Sequence, residues 1–340
     1  MKLSIIVPVY NMVADGKLSF CLDSLVGQHL EDYEIIAVDD ASTDRSLEVL
    51  REYEVKYPGR FVIVPLAENH RQGGAKNAGL DIAKGRFVGF VDSDDFVDPD
   101  MFARLLERAE ETGADMVGCD YGITHEHSFV PGTACNNNKQ SQTGILDEEK
   151  YRSLILDPGS LVIKIYRREL FENPRLRFPE HMFYEDNAVA TTLMLRAKHF
   201  EYIPEPLYYY YQHDSSTVHV VTEERCRNRM AAMKRMLMEL RKTPELLQKY
   251  HKEIEFRFTN LFYQNTLFSY VQQKRGIRLG FLRELAREMQ DIFPEFQQNP
   301  YYLERVNGEE RKFMAIQQKS TLLFLLYYKL VWWVRDLRSQ

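Results

Sequence analysis

The chain has 340 residues, more than one ordinary hydrophobic core supports, so a large domain with a smaller appendage is expected. Its formal net charge of −6 argues against a general nucleic-acid binder, and a phosphate-bearing substrate would need a metal ion or a local basic pocket. Cys21, Cys119, Cys135 and Cys226 are scattered without a Cys-x-x-Cys pair, which suggests neither a disulfide framework nor a zinc site and fits a reducing cytosol.

The apolar run from Leu3 to Val9 is too short, and too interrupted by Pro8, for a signal-peptide core, and reads as the first strand. Over residues 1–120, short β-rich runs alternate with amphipathic stretches, the pattern of βαβ units on a parallel sheet. Strands are predicted at Ser4–Val9, Glu34–Val38, Phe61–Val64, Phe87–Val91 and Met116–Cys119, with helices at roughly 17–29, 44–57, 73–84 and 99–112. Asp44 is a suitable N-cap, Pro99 suits a first turn and Gly113 a C-cap. Residues 121–145, with Asn136, Asn137 and Asn138, are too polar to pack as core and read as a mobile loop or insertion. A strand at Leu161–Tyr166, a helix from Glu185 and extended segments at Phe200–Ile203 and Leu207–Tyr211 would complete a mixed sheet. Amphipathic helical runs follow near 222–241, 245–273, 277–292 and 309–338. The division expected is therefore 1–220 for the α/β domain and 221–340 for a helical appendage.

Right-handed crossovers place the ends of the parallel strands on one edge of the sheet, where ligands of open α/β folds bind. Two carboxylate groups fall there. After Phe87–Val91 come Asp92, Ser93, Asp94 and Asp95, hard oxygen donors that repel one another unless a cation sits among them and that suit Mg2+ or Mn2+ holding a diphosphate. Near the first two strand ends lie Pro8, Tyr10, Asn11, Asp39 and Asp40, whose carboxylates can accept from a nucleobase N–H or ribose hydroxyls; Asp44 fits a capping role. Gly73-Gly74-Ala75-Lys76-Asn77 starts a helix with bare backbone that permits close approach of a ligand, with Lys76 and Asn77 as donors.

The order of these motifs resembles the family 2 glycosyltransferases, inverting enzymes of the GT-A fold that use nucleotide-diphospho-sugars. The resemblance runs through Ser4–Asn11, Cys21–Leu25, Glu34–Asp44, Lys76–Gly79, Ala83–Gly85 and Phe90–Asp95, covering about the first 215 residues. It implies a Rossmann-like, mostly parallel mixed sheet flanked by helices. It also implies an Asp-x-Asp element in which Asp94 is a direct ligand of Mn2+ or Mg2+ and Asp92 lies nearer the ribose, with Ser93 between them and Asp40 on the base. Asp186, in Tyr184-Glu185-Asp186-Asn187, matches the family's general base. His213 matches a histidine that completes the metal or diphosphate site, and Lys164 a recurrent lysine, although a solvated strand lysine fits equally. Lys76 stands where relatives commonly carry arginine, and a tryptophan often found near position 162 is absent.

The resemblance thus implies transfer of a sugar, with UDP as the preferred nucleotide, to a glycan or lipid-linked acceptor in bacterial surface polysaccharide synthesis. A sugar-nucleotide pyrophosphorylase would need a glycine- and arginine-containing loop where Pro8-Val9-Tyr10-Asn11 stands, and a non-catalytic scaffold would be expected to lack Asp94 or Asp186. Residues 311–340 carry a net charge of +5 within a chain of −6. Leu322–Val334 would span only about 20 Å as a helix, short of a bilayer core. With Trp332 and Trp333 beside basic residues it suits the inner membrane surface as well as a protein contact, including a second subunit.

Overall fold

The computed structural model describes residues 1–130, 132–212, 221–273 and 276–339, in two compact units, Met1–His219 and Val220–Gln340. In the first unit, β1 (Leu3–Val9), β2 (Tyr33–Asp39), β3 (Phe61–Pro65) and β4 (Phe87–Phe90) form parallel neighbours in the order β3-β2-β1-β4. Every residue of β1 and β2 is buried, as strands covered by helices on both faces require. The intervening helices are α1 (Lys17–Val26), α2 (Ser46–Lys56) and α3 (Arg71–Ile82). There follow β5 (Phe96–Val97), α4 (Met101–Thr112), β6 (Met116–Thr124), β7 (Thr133–Cys135), β8 (Gly144–Ile145), α5 (Glu148–Leu156), β9 (Lys164–Arg167), α6 (Glu169–Glu172), α7 (Glu185–Arg196) and β10 (His199–Tyr211).

The sheet continues past β4 as β9-β6-β10-β5, with β9 antiparallel between β4 and β6 and β10 parallel to β6. One core cluster joins Ile5 and Ile35 to Leu22, Leu50 and Leu105 of α1, α2 and α4. A second, on the other face, joins Ile6 and Ile36 to Ala75, Leu154 and Leu193 of α3, α5 and α7. The expected mixed, mostly parallel sheet between helical layers is therefore present, and all the parallel strands release their chains toward one edge.

Two readings need correction. The two extended segments expected around residues 200–211 are one strand, β10, because register shifts between Ile203 and Tyr208 absorb Pro204 and Pro206 without ending the pairing. Residues 121–145 are not a featureless insertion, since β6 runs on to Thr124 and β7 and β8 pair with the sheet. Some of their polar side chains find partners within the fold: Asn137 Oδ1 accepts from Ser160 N–H at 2.7 Å, and Asn138 Nδ2 donates to Gln142 Oε1 at 2.9 Å.

The second unit comprises α8 (Glu223–Leu240), α9 (Pro244–Lys249), α10 (His251–Phe258), α11 (Thr266–Val271), α12 (Leu279–Ile292), α13 (Pro300–Arg305), α14 (Gly308–Lys319) and α15 (Thr321–Ser339). The run expected as one helix at 245–273 is divided, and a π-helical stretch, Thr259–Asn265, links α10 to α11. Likewise, 309–338 is two helices that meet at the extended Ser320. Phe324 and Tyr328 of α15 pack on Phe313 of α14, with ring centroids 6.1 and 5.3 Å apart.

Lys164 is not a solvated strand lysine but is fully buried on β9. Its stem lies against Gly118, where a Cβ would stand 3.0 Å from Lys164 Cγ, and its Nζ donates to Ser160 O at 2.7 Å. Burial lowers its pKa to about 7, so the folded chain releases a proton that the unfolded chain keeps to about 10.4. Because the unfolded state then binds more protons, this group makes stability rise from pH 7 to 9. Lys164→Met is expected to flatten that rise relative to the parent chain, measured as urea midpoints at pH 7, 8 and 9; parallel curves would contradict it.

Candidate active site

At the open edge, the loops after β1 and β2 are tied together by Asn11. Its Oδ1 accepts from Thr43 N–H at 2.8 Å and Asp44 N–H at 3.2 Å, and its own N–H donates to Ser42 Oγ at 3.1 Å. Asp44 caps the next helix, accepting from Ser46 N–H at 2.8 Å. Pro8 lies buried in β1, whereas Tyr10 is exposed at the rim. Asn11, Ala41, Arg71, His181 and Tyr184 all hold positive φ near this edge, a concentration of costly backbone conformations that marks sites whose geometry the surrounding fold enforces.

The two carboxylates after β2 differ. Asp40 Oδ1 accepts from His70 N–H at 2.7 Å, tying it to the start of α3; its burial raises its pKa, opposed by that same amide. Asp39 is 2% exposed; its Oδ2 accepts from Ser42 N–H at 3.2 Å, while its buried Oδ1 has no partner among the described residues. An unpaired buried acceptor is costly unless a ligand supplies a donor, so Asp39, more than Asp40, keeps an acceptor available at this edge.

Past β4, Asp92 carries a pKa raised to about 6, first by burial and further by Asp94, Glu185 and Asp186, with Lys76 acting against them. Gln72 Nε2 lies 3.4 Å from Asp92 Oδ1, Ser93 is buried, and Asp94 is partly exposed. Asp95 faces inward: Tyr208 Oη donates to its Oδ2 at 2.6 Å and Tyr211 N–H to its Oδ1 at 2.9 Å. Burial, then the neighbouring Asp94 and Asp92, pushes its pKa far up. Tyr208 Oη also accepts from Asp92 N–H at 3.3 Å, so this one phenol fixes the acidic loop to β10. His213 lies outside the described residues, so its place at this site is left open.

Lys76 and Asn77 are turned into the protein. Lys76 Nζ donates to Glu185 Oε1 at 2.6 Å, with both side chains buried, and to Gln72 Oε1 at 3.2 Å. Burial alone would lower the lysine's pKa, but Glu185, Asp92 and Asp186 reverse this, and it stays charged. Asn77 holds the segment before α7, donating to Phe178 O at 2.9 Å and Glu180 Oε1 at 3.1 Å. The close approach permitted by the glycines is made by this segment, since a Cβ on Gly73 would stand 2.0 Å from Pro179 O and 3.3 Å from Glu185 Cβ. Asp186 follows in the first turn of α7, where the helix dipole favours its anion. Sequence reasoning left out Glu185, Tyr208, Gln72 and the inward role of Asp95. Asp95 carried a signal as the third carboxylate of its run, and Glu185 as the neighbour of Asp186 in an acidic pair; Tyr208 and Gln72 carried none.

A mixed sheet whose parallel strands end at one edge in two carboxylate-bearing loops, with a second acidic pair opening a helix, defines the GT-A class. The Glycosyl transferase family 2 model matches residues 4–173, and the chain belongs to that family. It is 34% identical over 220 residues to an uncharacterized glycosyltransferase, EpsJ, of Bacillus subtilis, covering 64% of this chain and 63% of that one. It is 33% identical over 214 residues to a poly(ribitol-phosphate) beta-glucosyltransferase of Bacillus spizizenii, covering 62% of this chain and 32% of that one. The matches thus span less than two thirds of either relative. The crystal structure of S. aureus TarS 1–349 in complex with UDP-GlcNAc superimposes with a TM-score of 0.66 at 19% identity, over 95% of this chain and 92% of that one, a likeness of fold.

Removing the lysine strands three carboxylates. Lys76→Ala is expected to cost about 3 kcal/mol in urea unfolding at pH 7, the scale of breaking a buried ion pair, whereas Lys76→Arg, which keeps the charge, is expected to cost less. Equal loss in both variants would show that shape, not charge, is what the site requires.

Proposed function

We propose that the chain is an inverting, divalent-metal-dependent glycosyltransferase that moves a sugar from a UDP-sugar to a glycan or lipid-linked acceptor of a surface polysaccharide. The observation that carries this reading is the pairing of two carboxylate groups, Asp92 with Asp94 and Glu185 with Asp186, around the buried Lys76 ammonium. Their donor atoms are all hard oxygens, and burial together with the neighbouring Asp94, Glu185 and Asp186 raises the pKa of Asp92, a strain a divalent cation would relieve, so the set fits Mg2+ or Mn2+. Asp94 and Asp92 would hold the ion, which when bound supplies positive charge to the diphosphate leaving group.

In this reading Asp39 Oδ1 accepts from the N3–H of uracil, and Asn11 keeps the two base-facing loops in register. Asp186 takes the proton of the acceptor hydroxyl as its oxygen attacks the anomeric carbon, and the bond from that carbon to the diphosphate oxygen breaks on the opposite face, inverting the centre. Lys76 acts through Glu185 to set the first turn of α7, and so the aim of Asp186. The UDP-GlcNAc bound by the fold neighbour supports the choice of UDP, and the poly(ribitol-phosphate) relative supports a cell-surface glycan acceptor.

Calorimetric titration with UDP, GDP and dTDP, each with Mn2+ and with EDTA, tests the donor. Mn2+-dependent binding of UDP is expected, about 10-fold weaker in Asp39→Asn; equal binding with and without metal would overturn the metal assignment. Asp186→Asn is expected to bind UDP as the parent does and to lose at least about 100-fold in transfer, the usual contribution of a general base. Retained transfer would remove Asp186 from that role.

Among the described residues no helix is long and apolar enough to cross a membrane. Yet Leu322, Leu323, Leu326, Leu330, Trp333 and Leu337 form one exposed apolar stripe on α15, opposite Phe324 and Tyr328, with exposed Lys319 and Lys329 nearby. The stripe suits burial in the interface of an anionic bilayer, where a lipid-linked acceptor resides; two copies of a segment of net charge +5 would repel each other instead. Co-sedimentation with vesicles containing anionic phospholipid, lost in Leu326→Glu/Trp333→Glu, is the expected result. Dimerization without vesicle binding would assign the stripe to a second copy.

A further inference from the structure

Beside the donor pocket, and apart from the carboxylates assigned to Mg2+ or Mn2+, the chain gathers two histidines and a glutamate. His70 stands at the start of α3, and Glu180 and His181 lie on the segment leading to α7; their ligand atoms all fall within 4.8 Å of one another. We propose that His70, Glu180 and His181 form a second metal site, for Zn2+ or a similar borderline transition ion, distinct from the site of the transfer reaction.

The geometry supports this at three levels. First, His70 Nδ1 and Glu180 Oε2 are 3.1 Å apart, close to the edge of about 3.3 Å that separates two ligands bound 2.0–2.1 Å from a tetrahedral ion. Second, both groups have polar neighbours. Asn77, itself buried, donates to the other oxygen of Glu180 at 3.1 Å, and Glu68 Oε1 lies within ion-pair distance of His70 Nε2 at 3.5 Å. Third, the partners arrive already joined: His181 N–H donates to His70 O at 2.9 Å, and the two rings lie 4.7 Å apart. His181 holds φ at +56°, an unfavourable conformation for a residue with a Cβ, and this turn directs the chain back past His70. The exposed His181 and Glu180 leave a fourth position open to water.

Two imidazoles and one carboxylate select a different ion from the all-oxygen set at Asp92 and Asp94. A metal here would cross-link the start of α3, which carries Lys76, to the segment that delivers Glu185 and Asp186, and so would rigidify the approach to the proposed base.

The test is titration of tag-free, full-length protein with Co2+ in the absence of nucleotide, followed by visible absorption, and with Zn2+ by calorimetry. The parent chain and Asp94→Ala are expected to bind one equivalent, with the d–d bands of a four-coordinate ion. His181→Ala, exposed and so not expected to disturb folding, should weaken binding at least about 10-fold, as should Glu180→Gln. Absence of saturable binding would overturn the proposal. So would binding that persists in His181→Ala and disappears in Asp94→Ala, which would return the ion to the acidic turn.

Discussion

One ammonium group organises the edge of this sheet. Lys76 Nζ is buried against Glu185 and its charge also acts on Asp92 and Asp186, carboxylates that arrive from β4 and α7 and would repel one another more strongly without it. An ion pair of this kind adds little net stability, because desolvation offsets much of the attraction; its value is positional. It makes two parts of the chain more than 90 residues apart mutually dependent, so the acidic turn and the helix carrying the proposed base keep one relative placement. The glycines serve the same end. Gly73 admits Pro179 O and Gly79 admits Ile6, which brings α3 close enough to both the sheet and the 178–185 segment for the lysine to reach.

The class of fold was legible because its cause is local. Val, Ile and Phe runs alternating with amphipathic stretches can form only a helix-covered parallel sheet, and Gly113 closes α4 at φ +73° as its position indicated. The acidic turn was legible for the same reason, since three carboxylates at the end of a buried strand demand an electrostatic explanation. What the sequence concealed was direction. Lys76 and Asn77 read as donors to a ligand, yet both point inward, because whether a polar side chain on a glycine-rich helix faces a pocket or the protein depends on what packs against it. That partner lies about 100 residues away and leaves no mark in the local pattern. Asp39 and Asp40 could not be told apart by type either; they are separated by the amide of His70, which engages one and leaves an oxygen of the other without a donor.

Polarity misled at residues 121–145 for a related reason. Asn, Gln and Ser were read as unable to pack, but their side chains can find partners inside the fold: Asn138 donates to Gln142, and Asn137 Oδ1 accepts from a main-chain N–H beside β6. The helical unit shows the opposite limit. Its amphipathic runs were visible, but their interruptions were not, because neither the π-helical stretch at Thr259–Asn265 nor the break at Ser320 is signalled by proline or glycine.

The clamp between Tyr208 and the acidic turn bears on how the molecule is made. The strands that present Asp39, Asp40 and Asp92 are all complete within the first hundred residues, but the phenol that accepts from Asp92 N–H and donates to Asp95 comes more than a hundred residues later. During synthesis, therefore, the half that carries these carboxylates emerges with its last fastening still inside the ribosome. β10 also supplies the partner for both β6 and β5, so its arrival closes the sheet and quiets the acidic turn in one step. A nascent chain stalled before residue 208 would carry the acidic turn without its support, which makes the end of β10 the point at which the growing polypeptide first holds that turn in place.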